Sequence, residues 1–172
     1  MLARYQAISP ADIARAEAVH HGWLISTERF ENDNQSALLD VNIETLQLDA
    51  YVPDLSDVNL VYDGIRKISI RSGEGLHIGY RGPHGCMVSL VVFHDPRDSS
   101  AEIKALHRGD RIVYGWRVNQ TGFYLLASRM DPNRLSEIAK VVYRITQTKS
   151  PLDAQSVVAL NKAKALSQPC TA

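Results

Sequence analysis

The chain lacks any excess of charge of one sign: its 172 residues carry 19 basic and 19 acidic side chains. Nucleic-acid binders usually gather a basic excess to meet phosphates, so no nucleic-acid partner is expected. Cysteine is scarce. Cys86 heads an apolar run and Cys170 sits in the polar C-terminal tail. An oxidising compartment would permit a bridge between them, but two cysteines without a spacing pattern read first as a buried residue and a tail thiol. No apolar run approaches the ~20 residues that cross a bilayer, and "MLARYQAISP" lacks the continuous apolar centre of a signal peptide. The chain is therefore expected to be soluble, or cut from something larger. There is no G-x-S-x-G, no P-loop, and no G-x-G-x-x-G ahead of a helix. "RSGEG" (71–75) joins two strands and has no following helix to hold a phosphate.

What is present suits one α+β domain. Ser9, Pro10 and Asp12 signpost a first helix, with Ile13, Ala16, His20 and Leu24 near helical spacing and Val19 and Trp23 beside them. A second helix is expected over about 36–49, with Leu38, Leu39, Ile43, Leu46 and Leu48 inward and Gln47 outward, stopped by Pro53. From Val58 the period changes to two. Asp63-Gly64, between "VNLVYD" and "IRKISI", reads as a hairpin turn. Strands follow at 75–81 and 86–94, then a short helix or turn over 99–107, then strands at 110–118 and 121–129 around Asn119-Gln120. Asp131-Pro132 starts a closing helix with a stripe of Leu135, Ile138, Ala139, Val142 and Ile145. Ser150-Pro151 and Asp153 start another helix, running through about Leu166. The pattern is an antiparallel sheet of about six hairpin-connected strands, with helices on one face. Alternation at Ile112, Tyr114, Trp116 and Val118 places Trp116 against the closing helix.

The metal question centres on His77, His84 and Cys86. His77-x6-His84-x-Cys86 is not a standard zinc spacing. "RGPHG" is turn chemistry, with glycines for positive φ and Pro83 fixing the bend. His84 is expected at an exposed hairpin tip and His77 in mid-strand, with no metal and no cofactor. His20 and His21 point about 100° apart on a helix and do not share a metal as histidines four residues apart do. His20 reads as a core-edge histidine with one hydrogen-bond partner, and His107 as a solvated loop residue. Asp54 and Asp57 read as capping or turn residues. No catalytic set is assigned, and the chain is read as a non-enzyme.

A run of landmarks gives a further reading. "ARAEAVHHGWL" (14–24) precedes "YVPDLSDVNLVYDGIRKISI" (51–70), "HIGYRGPHGCMVSLVVF" (77–93) and "GWRVNQTGFYLLASRMDPNRLSEIAKVVY" (115–143). In this order the stretch 13–147 resembles the extracytoplasmic domain of bacterial transmembrane anti-sigma factors. The resemblance implies a non-enzymatic regulatory or sensor domain on the periplasmic side of the inner membrane, acting through a protein partner or a small-molecule signal. It also implies that a sigma factor is gripped only through a cytoplasmic segment, and the membrane met only through a transmembrane helix, neither of which is expected in this chain. Without the resemblance, the expectation is a free-standing binding module in the cytoplasm. Residues 1–147 are expected to form the domain, and 148–172 a C-terminal helical extension and tail. The expected partner or ligand surface is the tip at Pro83 and His84 and the loop 95–110, with Arg108 and Asp110, because loops on a rigid frame commonly carry binding.

Overall fold

The computed structural model describes residues 9–26, 48, 51–70, 73–96, 101–166 and 170. The elements are α1 (Pro10–Ile25), β1 (Val61–Ile70), β2 (Gly73–Arg81), β3 (Met87–His94), β4 (Ala101–Arg108), β5 (Arg111–Val118), β6 (Thr121–Ser128), α2 (Pro132–Thr148) and α3 (Ala154–Leu166). Short 3-10 turns lie at Ser56–Val58 and Pro83–Gly85. The six strands form one antiparallel sheet in the order β1-β2-β3-β6-β5-β4. This is the expected α+β arrangement. The helix expected over 36–49 lies outside the described residues, apart from Leu48, which is buried.

The helices divide between the two faces of the sheet, where one face was expected. The reason is legible in the central strands. "MVSLVVF" on β3 is buried at every residue, so both its faces need cover. On one face Leu76, Ile78, Val88, Leu90, Phe123 and Leu125 pack with Leu135, Ile138, Val142 and Ile145 of α2. On the other, Val91, Phe93, Tyr124 and Leu126 pack with Ile13 and Ala16 of α1. α3 lies on α2 and on the turn Ser56–Val58, and its Leu160 joins the first core.

Trp116 sits where the alternation put it, 2% exposed. Its ring stacks on Phe123 and meets Tyr143 edge-on, and its indole N–H donates to Thr146 Oγ1 at 2.9 Å. Asp131 caps α2, its side chain accepting from the Asn133 and Arg134 backbone N–H groups. Asp153 Oδ1 accepts from the Ser156 N–H at the start of α3.

Three local expectations are corrected. Asp63-Gly64 does not turn the chain: β1 runs through it with a bulge, Gly64 at φ 143°. Asp63 is recruited by two side chains instead. It accepts from Arg81 at 2.7 Å and from the Trp23 indole N–H at 3.2 Å. The segment 101–108 is a strand and not a helix or turn; pairing with β5 overrides the helix-forming residues in "AEIKAL". His107 is accordingly an exposed strand residue. Finally, Cys86 and Cys170 are joined as a disulfide, with Cα atoms 5.3 Å apart. The fold brings the tail back across 84 residues of sequence to the start of β3, a proximity that spacing alone does not reveal.

Candidate functional site

Two arrangements could carry chemistry, one under α1 and one at an end of the sheet.

Under α1, five polar side chains form a chain of hydrogen bonds. Arg66 Nε donates to His77 Nδ1 at 3.2 Å, and its Nη2 donates to the Val19 carbonyl at 3.2 Å. Arginine can only donate, so His77 Nδ1 is the acceptor and its Nε2 carries the proton. That proton goes to Ser89 Oγ, 2.7 Å away. The Ser89 hydroxyl then donates to His20 Nδ1 at 2.7 Å, and His20 Nε2–H donates to Ser128 Oγ at 2.8 Å. His20 therefore has two partners, one more than expected. Burial holds both rings neutral. Desolvation, then the Arg111 and His21 charges, lower His20 to about 4. Desolvation, then Arg66 and His20, lower His77 to about 3.

A serine between two imidazoles has the makings of a nucleophile and base. Ser89 and His77 are 0% exposed, however, so no substrate reaches them. The chain instead fastens α1 to β1, β2, β3 and β6. Trp23 completes the fastening, with its ring meeting His77 edge-on at 5.3 Å between centres. Gly79 makes room for that ring: a Cβ there would lie 2.7 Å from Trp23 Cζ2.

At the end of the sheet where β1 begins, a cleft of about 760 Å³ opens between the β2–β3 turn, the Ser56–Val58 turn and the C-terminal segment. Pro83 and His84 line it, together with Asn59, Arg134, Lys164 and Cys170. His84 stands at the exposed tip, as expected, with φ 59°. That left-handed conformation is uncommon for a non-glycine residue. Asp54 Oδ1 accepts from the Ser56 N–H at 2.9 Å and shapes the neighbouring turn, a bond that also lowers the Asp54 pKa.

Arg108 and Asp110 lie elsewhere. Arg108 ends β4 and Asp110 lies in the β4–β5 turn, at the same end of the sheet but three strand spacings from the β2–β3 turn. Arg108 pairs with Glu17 of α1 at 3.8 Å. The four expected surface residues thus share an end of the molecule but not one site. The sequence reading did not single out Arg134, Lys164 or Asn59, nor the link between His20, His77 and Ser89. Comparison with protein-family models, with curated proteins and with solved structures returns no match.

Proposed function

We propose that the chain is a non-enzymatic sensing domain of an anti-sigma-factor-like regulator, placed on the extracytoplasmic side and acting through a bound protein or small molecule. The observation that carries this reading is the order of landmarks across 13–147 and its resemblance to that class of domain. Their packing adds support. The "PDLS" segment tucks under the sheet, with Leu55 buried and the Tyr80 hydroxyl donating to the Pro53 carbonyl at 2.8 Å. The Cys86–Cys170 bridge suits an oxidising compartment, since such bridges are rare in the cytosol. The closed Ser–His chain favours a structural role over catalysis.

A sensing domain of this kind does not itself grip the sigma factor. The apolar positions Ile13 and Ala16 of α1 are used against the sheet and cannot also cover a partner. The test is calorimetric titration of the purified chain against the alternative sigma factors of its own host cell. No micromolar association is expected; micromolar binding abolished by changes on the outer face of α1 would overturn the reading. A second reading, a free-standing ligand-binding module, is favoured by the cleft alone.

A further inference from the structure

The cleft at the end of the sheet is lined by Arg81, His84, Arg134 and Lys164, and by no acidic residue among those described. These basic groups are not equivalent. Arg81 is committed elsewhere: its guanidinium pairs with Asp63 at 2.7 Å and lies 5.3 Å from the Trp23 ring centre. His84 is at the exposed tip, and Lys164 lies on α3. Arg134 differs from all three, because it is 5% exposed. Among the described residues its Nη1 reaches only the Cys86 sulfur, at 3.7 Å. Sulfur is a weak acceptor. The Arg134 Nη2 is buried and has no hydrogen-bond partner among the described residues. Among the described residues no salt bridge involves Arg134.

A guanidinium stays charged and carries five donors. Burying it with an open donor and no counter-charge is costly, unless an acceptor arrives from outside. The acceptor that matches its planar fork is an oxyanion, bound by two parallel N–H···O contacts. The backbone N–H of Arg134 is already taken by the Asp131 cap, so the start of α2 is not the attraction; the side chain is. The size of the cleft is right for more than an inorganic ion, since small-molecule sites run from about 300 to 1,000 Å³. Val61 and Pro83 supply apolar wall, and Asn59 and Ser56 supply neutral donors and acceptors.

We propose that this cleft binds a small organic molecule through a carboxylate or phosphate group, with Arg134 as its anchor and Lys164 adding attraction at the rim. The site goes beyond the sensor reading and does not depend on a sigma factor. Benzoate and phenyl phosphate probe the two sources of oxyanion, inorganic phosphate probes the anion without an organic body, and benzamide is the neutral control.

The experiment is calorimetric titration of the oxidised full chain with each probe, alongside the same titrations of Arg134→Gln and Lys140→Gln. Lys140 pairs with Glu137 on the exposed surface of α2 and does not line the cleft. Saturable binding of benzoate or phenyl phosphate is expected, with benzamide inert. Loss of a charge-assisted hydrogen-bonded pair should weaken it roughly tenfold or more in Arg134→Gln, with Lys140→Gln unchanged. Whichever of the two organic probes binds better identifies the source of the oxyanion. If Arg134→Gln does not fold, amide chemical shifts of the native chain decide the matter. Benzoate or phenyl phosphate should move Asn59, His84 and Arg134 and leave Asn119 still. Binding by neither organic oxyanion, equal binding by Arg134→Gln, or shifts confined to other surfaces would overturn the assignment.

Discussion

His20 and His77 are the side chains whose surroundings differ most from water in a way that pH can report. Both are held neutral by burial, at about 4 and about 3, against an ordinary value near 6.5. The unfolded chain takes up protons below about pH 6.5 that the folded chain refuses. Stability is therefore intact above that pH and is lost as pH falls toward 4, at roughly 1.4 kcal/mol per pH unit for each histidine. Denaturant unfolding between about pH 7 and pH 4.5 should show this slope, and His20→Gln should reduce it by about one proton's worth. An unchanged slope in that variant would place the proton uptake elsewhere. Trp116 makes a different contribution at the same scale. It is buried in the core and donates its N–H to Thr146. Trp116→Ala should cost about 3–5 kcal/mol by the same measurement. A cost under about 1 kcal/mol would show that the site is not part of the core.

α1 is the element whose position rests on a narrow fit. Its Trp23 ring lies over Gly79, and a methyl group at 79 would lie 2.7 Å from the ring. Gly79→Ala should cost about 1–3 kcal/mol, as overpacking does, and should speed amide exchange along α1 while leaving α2 protected. Equal exchange in both helices would contradict this division. α1 and α2 were both legible in the sequence, because Ser9-Pro10 and Asp131-Pro132 are local start signals and the inward stripe of α2 is strongly periodic. The faces they cover were not legible. "MVSLVVF" is apolar at all but Ser89, which calls for cover on both faces, but only the packing reveals that α2 covers one and α1 the other. The bulge at Gly64 was hidden for a similar reason: a turn-forming pair is held straight by Arg81 and Trp23, both distant from Asp63 in sequence. The serine–histidine chain joins positions 12, 69 and 108 residues apart, which no spacing rule captures. At the cleft, the tip at Pro83 and His84 was visible as turn chemistry. Arg134 was visible only as a residue of a helix's first turn.

For the whole molecule, the Cys86–Cys170 bridge ties the C-terminal segment to the β2–β3 turn and closes one wall of the cleft. Removing a native bridge costs typically about 2–4 kcal/mol, so reduction should lower the melting temperature by roughly 4–16 °C. Scans of the oxidised and reduced chain would show this, and superimposable curves would mean that the bridge does not constrain the fold. The central claim is that the domain senses for a sigma-factor regulator. It is tested most directly by transcription from promoters of the host cell's alternative sigma factors, measured in cells with the native gene and in cells with the segment 10–170 excised in frame. The account predicts a several-fold change in that transcription on excision. Identical transcription in the two strains, under every growth condition in which the promoters respond, would contradict it.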